Sequence, residues 1–268
     1  SGVTGFNKPK LGPSALGHES AGEIIAVGRN VSHLAVGERV VINPVDYVAG
    51  QTIGNGGPEG AFAELILVRN ATRVGRLIPL ADGLDFAVAA LAEPMGVALH
   101  AVNRSGVTAD SRVVVLGVGP IGLGAVIWLK HKGVRHVVAV DLSPERLERA
   151  TRFGADATIL AGAGDLAEQL RAHHGVGRRG APDTDVYLDA AGAPAALAEV
   201  IEIAKFRSRL TVVAVYKKPV LMDLSAMLHK EMVLTTSVAY PDELGEVVEF
   251  LGNHAEDCLL YTSPSPRD

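Results

Sequence analysis

Short apolar runs alternate with helical segments along the chain from residue 112 onward. Runs rich in β-branched residues and bounded by turns predict buried strands. The predicted strands are residues 113–116, 137–140, 157–160, 185–188, 210–215 and 232–236. The predicted helices between them are residues 121–131, 144–153, 164–173, 194–206 and 224–229. The alternation predicts a doubly wound parallel sheet, with its last strand at an edge where a second copy could pair.

The first 80 residues follow a different pattern, in which short β-branched runs are separated by Gly, Asn and Pro turns. Strands are predicted here at residues 21–27, 38–42 and 62–68, with a glycine-rich loop at residues 43–60. An almost wholly apolar helix is predicted at residues 87–102. The fold class is therefore predicted as α/β, with a partial β domain at residues 1–84 and a doubly wound domain at residues 85–257.

A glycine-rich turn follows the first strand of the second domain. It reads Gly117, Val118, Gly119, Pro120, Ile121 and Gly122. Gly117 allows a tight turn, Gly119 lets the backbone approach a pyrophosphate, and Gly122 lets the next helix pack close to the strand. The helix N-terminus offers free N–H groups to phosphates. Strand, turn, helix and strand in this register predict a dinucleotide site rather than an ordinary glycine turn.

Asp141 ends the second strand of that unit, 19 residues beyond Gly122. A carboxylate at this position can accept hydrogen bonds from both hydroxyls of the adenosine ribose. It would also repel a 2′-phosphate, so the sequence favours NAD(H) over NADP(H).

Composition narrows the class of protein. Hydrophobic residues make up 48% of the 268 residues, and the chain is long enough to bury a sizeable core. No apolar run approaches the roughly 20 residues that a membrane span requires. The net charge of −5, without a dense basic stripe, argues against nucleic acid as a partner. One cysteine excludes a disulfide framework and a four-cysteine zinc lobe. We expect a soluble cytoplasmic protein.

Both ends of the chain look artificial. Residues 258–268 change composition abruptly, and they can be encoded by a string that resembles a sequencing-library adapter. We interpret them as adapter read-through; the alternative is a disordered Pro/Ser tail. The chain begins with Ser1 rather than Met. We expect a fragment truncated at both ends, and we expect residues 1–268 alone to be inactive.

Four motifs in order carry a resemblance to a known family. They are Gly17-His18-Glu19, residues 60–64 (GAFAE), Glu93-Pro94 with residues 98–100 (ALH), and the dinucleotide unit. Together they resemble the zinc-dependent medium-chain dehydrogenases over about residues 15–252. The branch that they resemble is that of the polyol, threonine and butanediol dehydrogenases.

The resemblance implies a GroES-like β domain beside a Rossmann domain, with the active site in the cleft between them. It implies that His18 is a zinc ligand, that Glu19 contacts zinc directly or through water, and that Glu93 supplies the carboxylate on the far side of the metal. Glu19 and Glu93 are thus the candidate catalytic residues. Asp141 would bind the adenosine ribose, and Arg146 would lie over the adenosine.

The chain departs from the family in three places. The cysteine ligand and the proton-relay hydroxyl that follows it would fall upstream of Ser1. The structural-zinc lobe would lie between Pro44 and Ile53, where the chain has a short loop without cysteine. We therefore expect one catalytic zinc and no structural zinc. The C-terminal segment that completes the catalytic domain is absent, so part of the substrate pocket cannot be read.

Each candidate also has an ordinary structural interpretation. His18 alone could be a structural histidine, Glu19 a salt-bridge residue, and Glu93 a cap of the helix that Pro94 begins. Arg146 could be a surface arginine. His100 is expected to pack and hydrogen bond rather than to bind metal. Residues 173–174, two histidines before Gly175, are interpreted as a solvated helix end.

Residues 189–192 (DAAG) follow the fourth strand of the doubly wound domain, and residues 213–215 end the fifth. Both lie at carboxyl ends of strands, where open sheets bind ligands, so backbone contacts to the nicotinamide half are plausible there.

The leading hypothesis is a zinc- and NAD-dependent dehydrogenase, a homodimer or homotetramer when full length, acting on a secondary alcohol, polyol or amino alcohol. Zinc would act as a Lewis acid on the alcohol oxygen. One alternative is a zinc-free quinone or enone reductase, which usually lacks the His-Glu pair. A second is a non-catalytic nucleotide-binding protein, and a methyltransferase is weaker still. Zinc content and alcohol turnover would separate them.

Overall fold

The computed structural model describes residues 15–46, 50–72 and 75–255. By their contacts these residues form two compact units, one holding the chain up to Gly96 and from Tyr240 onward, the other Val97–Ala239. The predicted domain limits at residues 84 and 257 stay a prediction. The interpretation of residues 258–268, and that of the chain start, falls outside the described residues.

The structure has nine strands and eight α-helices within the described residues. The strands are β1 (Ala21–Glu23), β2 (Arg39–Ile42), β3 (Leu77–Pro79), β4 (Arg112–Leu116), β5 (His136–Asp141), β6 (Ala157–Leu160), β7 (Val186–Asp189), β8 (Arg209–Val212) and β9 (Val233–Thr236). The helices are α1 (Phe86–Ala89), α2 (Ala92–Ser105), α3 (Pro120–His131), α4 (Pro144–Arg152), α5 (Leu166–His174), α6 (Pro194–Ile203), α7 (Leu224–His229) and α8 (Leu244–Asn253).

The first unit contains an antiparallel sheet of β1, β2 and β3. Its small core lies against one side of β2, where alternate residues Val40 and Ile42 pack with Leu34, Ile53 and Leu77. This alternation is typical of a sheet with one buried face. The sheet agrees with the predicted β character of the N-terminal part of the chain.

The strand predicted at residues 62–68 is wrong. This segment forms bends and coil, and it exposes Phe62, Leu65 and Leu67, the first of them to 85%. Apolar residues do not by themselves make a strand, since each strand needs a hydrogen-bonding partner. Here β2 pairs on its second side with β3, a three-residue strand that the sequence analysis missed because it is short and ends in Pro79.

The predicted helix at residues 87–102 is two helices. Asp85 caps α1 by accepting a hydrogen bond from the Ala87 N–H, and a turn at residues 90–91 separates α1 from α2. Contrary to the expectation from the sequence, the stretch Phe86–Ser105 has the length and apolar composition of a membrane span, but 61% of its apolar 18-residue window is buried inside the protein. Burial of this kind is what a core helix shows.

The second unit is a six-stranded parallel sheet in the order β6-β5-β4-β7-β8-β9, which confirms the predicted doubly wound sheet. The central strands β4 and β5 are almost continuously buried, as expected for strands covered on both faces. The order reverses between β5 and β7, on either side of β4. That switch point is where open α/β sheets bind ligands. As predicted, β9 lies at an edge.

The interpretation of residues 173–174 as a solvated helix end is wrong for His174. This side chain is only 4% exposed. Its Nδ1 atom lies 2.8 Å from Thr184 Oγ1, and its ring meets that of His136 edge to face, with centroids 4.9 Å apart. A partner hydroxyl brought near by the fold makes burial of this imidazole possible, and the local sequence does not show it.

Candidate functional site

Three potential metal ligands meet in the first unit. His18 and Glu19 lie just before β1, and Glu93 lies in the first turn of α2. One ligand atom from each of the three side chains lies within 4.8 Å of the others. Among the described residues, no other group of three or more His, Cys, Asp or Glu side chains has its ligand atoms this close together.

The spacing of the donors suits zinc. His18 Nε2 lies 3.5 Å from Glu93 Oε1. Two ligand atoms bound to one tetrahedral zinc lie about 3.4 Å apart, given zinc–ligand distances of about 2.1 Å. One imidazole nitrogen and two carboxylate oxygens are ligand types that zinc accepts, and three protein ligands leave a fourth position open. The residues present therefore fit the metal that the motif predicts.

Close backbone packing positions His18. Gly17 has a φ of +83°, and a Cβ atom there would lie 2.9 Å from Phe62 N. A Cβ atom on Gly54 would lie 2.3 Å from Gly17 O and 3.1 Å from His18 Cβ. Hydrogen bonds from Ala61 N to Gly17 O and from Phe62 N to Leu16 O hold the two segments together. Glycine at these positions lets the backbone pass close behind the imidazole.

Glu93 is the most buried member of the cluster, with a side chain 12% exposed. Burial raises the pKa of the Glu93 carboxyl to about 7; a hydrogen bond from Tyr240 opposes the rise, and the nearby Glu19 charge adds to it. An unpaired carboxylate at this depth is costly, so the site gains from a cation. Binding a metal here would release the carboxyl proton.

Tyr240 is a site residue that the sequence analysis missed. Its hydroxyl donates a 2.9 Å hydrogen bond to Glu93 Oε1, and the residue is 2% exposed. The ring packs on Gly96, where a Cβ atom would lie 3.0 Å from the ring. Gly96 is the signal that the sequence offered. Glycine inside a helix costs roughly 1 kcal/mol, so it marks a close approach by another group.

The glycine turn lies in the second unit, between β4 and α3. Gly117 has a φ of +77°, and a Cβ atom there would lie 2.7 Å from Ala191 Cα. A Cβ atom on Gly122 would lie 1.8 Å from Gly117 O. A Cβ atom on Gly119, by contrast, would meet nothing within 4 Å. Gly117 and Gly122 are thus required by packing within the protein, whereas Gly119 borders open space.

That open space lies at the start of α3, where Gly119 is the N-cap and Pro120 and Ile121 begin the helix. The N–H groups of the first turn have no partner within the helix, and the helix dipole is positive there. The geometry fits a pyrophosphate, which needs close backbone approach and N–H donors.

Asp141, the last residue of β5, is 7% exposed. Its Oδ2 accepts a 2.8 Å hydrogen bond from Val118 N in the glycine turn, and its Oδ1 accepts one from Ser143 N at 2.9 Å. The carboxylate therefore holds the turn and the start of α4 together. Each oxygen has a second lone pair with which it can accept a hydrogen bond from a ribose hydroxyl.

Arg146 lies in the first half of α4, with its guanidinium Nη1 3.8 Å from Asp141 Oδ2 and its side chain 53% exposed. The two residues that were predicted to contact the adenosine are therefore neighbours. The structure brings together the metal-site residues within the first unit and the nucleotide-site residues within the second.

A cavity of about 500 Å³ in the second unit is lined by residues of α5, α6 and α7 and their connections, among them Arg171, Phe206 and Lys230. It contains none of the predicted site residues.

Two protein families match the chain. Residues 120–253 match the family described as zinc-binding dehydrogenase, and residues 2–80 match the alcohol dehydrogenase GroES-like domain.

The chain is similar to curated dehydrogenases. It is 29% identical over 250 residues to the (R,R)-butanediol dehydrogenase of Bacillus subtilis (strain 168), an alignment that covers 89% of this chain and 69% of the relative. It is 33% identical over 221 residues to the sorbitol dehydrogenase of the same strain, over 75% of this chain and 59% of the relative. The chain thus spans about three fifths to seven tenths of the length of these relatives.

Among solved structures, the crystal structure of 2R,3R-butanediol dehydrogenase from Bacillus subtilis superposes with a TM-score of 0.81 at 28% identity. The superposition covers 92% of this chain and 73% of that structure.

Proposed function

The chain belongs to the zinc-dependent medium-chain dehydrogenases, and from this premise we propose that it is an oxidoreductase of CH–OH groups. It oxidises a secondary alcohol, polyol or amino alcohol to the corresponding ketone by transferring a hydride to NAD. The reverse reaction transfers a hydride from NADH to the ketone. The observation that carries the proposal is the cluster of His18, Glu19 and Glu93, whose ligand atoms lie within 4.8 Å of one another.

The roles of the metal-site residues follow from their chemistry. His18 offers a neutral imidazole nitrogen, and Glu19 and Glu93 offer carboxylate oxygens. When bound, zinc supplies a Lewis acid that polarises the alcohol oxygen. Tyr240 orients the Glu93 carboxylate through its hydroxyl. Groups that hydrogen bond to metal ligands in this way fix ligand geometry and contribute to metal affinity. One zinc per chain accounts for the ligand set.

The residues of the glycine turn hold the cofactor. Gly119 and the first N–H groups of α3 receive the pyrophosphate, and Asp141 accepts hydrogen bonds from the ribose hydroxyls. Arg146 lies beside Asp141, where it would contact the adenosine of the bound cofactor. A buried carboxylate at this point disfavours a 2′-phosphate by charge repulsion, so NAD is the preferred nicotinamide cofactor.

The substrate class follows from the named relatives. Two of the similar curated proteins are a butanediol dehydrogenase and a sorbitol dehydrogenase, which both take their names from alcohols with hydroxyls on neighbouring carbons. We extend this class, small diols and polyols, to the present protein.

Oligomeric state and location belong to the same proposal. The edge strand β9 leaves Val233 and Leu234 about two fifths exposed. An apolar, unpaired strand edge favours pairing with a second copy. We therefore propose a homodimer, or a tetramer built from such dimers. We also propose that the protein is soluble and cytoplasmic.

The test is a spectroscopic assay of NADH formation from NAD with 2,3-butanediol, sorbitol and simple secondary alcohols, with zinc supplied. The assay is run on the full-length protein with and without a zinc chelator. NADH formation that the chelator abolishes supports the proposal. Reduction of quinones or enones without zinc would contradict it, and so would cofactor binding without turnover of any alcohol.

A further inference from the structure

One buried carboxylate joins the two loops that follow β7 and β8. Asp189, the last residue of β7, is 1% exposed. Its Oδ2 accepts a 2.7 Å hydrogen bond from the hydroxyl of Tyr216, which lies in the connection after β8. Its Oδ1 accepts hydrogen bonds from Ala191 N at 3.0 Å and from Gly192 N at 3.1 Å. The side chain of Asp189 thus has a partner in each loop.

The loop after β7 packs directly on the glycine turn. A Cβ atom on Gly117 would lie 2.7 Å from Ala191 Cα, and Ala190 N donates a 2.9 Å hydrogen bond to Leu116 O. On its other side, a Cβ atom on Gly192 would lie 3.3 Å from Ala214 Cβ. The loop is therefore held between the turn and the segment that follows β8.

The sheet order places this loop under one half of a bound dinucleotide. β5 and β7 lie on opposite sides of β4. Asp141 ends β5, and Asp189 ends β7. A dinucleotide binds across the switch point at the carboxyl ends of the strands. With the adenosine on the β5 side and the pyrophosphate over the glycine turn, the second nucleotide extends over the loops after β7 and β8.

We propose that Tyr216 is a positioning residue for the second nucleotide of the bound cofactor: its hydrogen bond to Asp189 fixes the two loops on which that nucleotide lies. The inference rests on the proposed dehydrogenase function. The ring of Tyr216 packs against the apolar core of the second unit. The side chain therefore loses little conformational entropy when its hydroxyl bonds to Asp189.

The protonation state of Tyr216 agrees with this role. Burial raises the pKa of the Tyr216 phenol above its ordinary value. The hydrogen bond to Asp189 and the negative charge of Asp189 raise this pKa further. The hydroxyl therefore remains a donor to the carboxylate throughout the neutral and mildly alkaline range.

The experiment compares Tyr216→Phe, which keeps the ring and removes the hydroxyl, with wild-type residues 1–268. Binding of NADH and of AMP is measured by titration calorimetry. Loss of one hydrogen bond to a buried carboxylate is expected to weaken NADH binding roughly three- to tenfold. AMP affinity is expected to stay unchanged, because AMP occupies only the Asp141 side. The matched control is Tyr187→Phe, which removes a buried hydroxyl from within β7 and is expected to leave both affinities unchanged.

A second readout does not depend on ligand. Amide hydrogen exchange at Ala191 and Gly192 is expected to become faster in Tyr216→Phe, because the acceptor of both N–H groups is no longer fixed.

Three results overturn the proposal. They are equal NADH affinity in Tyr216→Phe and wild type, a parallel loss of NADH and AMP affinity, and unchanged exchange at Ala191 and Gly192. A wild-type chain that binds neither NADH nor AMP would instead overturn the proposed cofactor function, and the role of Tyr216 with it.

Discussion

Glu93 is a largely buried acidic residue, and its neighbours determine how well its charged form is stabilised. The carboxyl has a pKa of about 7 because burial disfavours its charge. His18 Nε2 lies 3.5 Å away and the Tyr240 hydroxyl donates from 2.9 Å. The two contacts leave the carboxylate oriented for a cation. We therefore expect the proposed metal site to depend on Tyr240, which is not itself one of the proposed ligands.

Tyr240→Phe tests this dependence. We expect zinc affinity to fall roughly tenfold, because a group that orients a metal ligand typically contributes a factor of this size. The measurement is competition for zinc with a chromophoric chelator. Tyr187→Phe, which removes a buried tyrosine hydroxyl in the second unit, should bind zinc like the wild type. Equal zinc affinity in Tyr240→Phe and wild type would show that the hydrogen bond has no part in metal binding.

His174 gives the fold a sensitivity to acid. Burial, with smaller contributions from the nearby His136 and Arg112, lowers the pKa of His174 to about 4. The neutral ring is therefore favoured in the folded state. Above pH 6.5 neither state carries the extra proton. As the pH falls from about 6.5 to 4, the unfolded chain binds a proton that the folded chain does not, and stability is lost.

The predicted loss for this group is of the order of 3 kcal/mol at pH 4, since each pKa unit corresponds to about 1.4 kcal/mol. Denaturant unfolding at several pH values, followed by fluorescence of the single Trp128, measures it. His174→Gln should show a smaller loss of stability between pH 6.5 and 4 than the wild type. His173→Gln, at the exposed neighbouring position, should behave like the wild type. Identical pH profiles for wild type and His174→Gln would show that the ring titrates normally.

At the scale of elements, the three glycines of the turn between β4 and α3 differ in whether packing within the protein requires them. Gly117 and Gly122 have protein atoms where a Cβ would stand, whereas Gly119 has open space. The fold therefore explains two of the three glycines. The third, Gly119, leaves room for the pyrophosphate that we propose to bind at the helix N-terminus.

Gly119→Ala is the corresponding variant. We expect its thermal stability to match that of the wild type, since the new methyl group meets no protein atom. We expect NADH binding to weaken by at least roughly tenfold, because the methyl group occupies space that the pyrophosphate needs. Gly245→Ala, where a Cβ atom would also meet nothing within 4 Å, serves as the control. Unchanged NADH affinity in Gly119→Ala would place the cofactor elsewhere.

The sequence predicted best those features that one continuous segment encodes. The six-stranded sheet, the glycine turn and Asp141 all follow from periodicity and spacing within residues 112–236. The proximity of His18 to Glu93 followed from a resemblance, since no local pattern brings together residues so far apart. Tyr240 and Tyr216 were missed because each acts through one hydrogen bond that long-range packing sets. The false strand at residues 62–68 has the same origin, since strand pairing is decided by partners elsewhere in the chain.

At the scale of the whole molecule, β9 is an edge strand of the six-stranded sheet, and among the described residues β8 is the strand that pairs with it. β9 pairs with β8 on one side and exposes Val233 and Leu234. An unpaired apolar edge either pairs with another chain or invites aggregation.

The proposed dimer predicts the effect of a charge on this strand. Leu234→Glu should convert the dimer to a monomer, because burying an unpaired carboxylate at an interface is costly. Sedimentation velocity measures the change. Val36→Glu, at an exposed apolar position of the first unit, should remain dimeric. A wild-type protein that sediments as a monomer, or a dimer that Leu234→Glu leaves intact, would contradict pairing through β9.

Zinc content per chain tests the central claim most directly. The proteins are wild type, His18→Gln, Glu93→Gln and, as a control, His229→Gln at an exposed position in the second unit. Each is loaded with zinc, freed of excess metal and measured by mass spectrometry for bound metal. We expect one zinc per chain in wild type and His229→Gln, and loss of zinc in the other two. A wild-type chain that retains no zinc, or a His18→Gln chain that retains as much as the wild type, would contradict it.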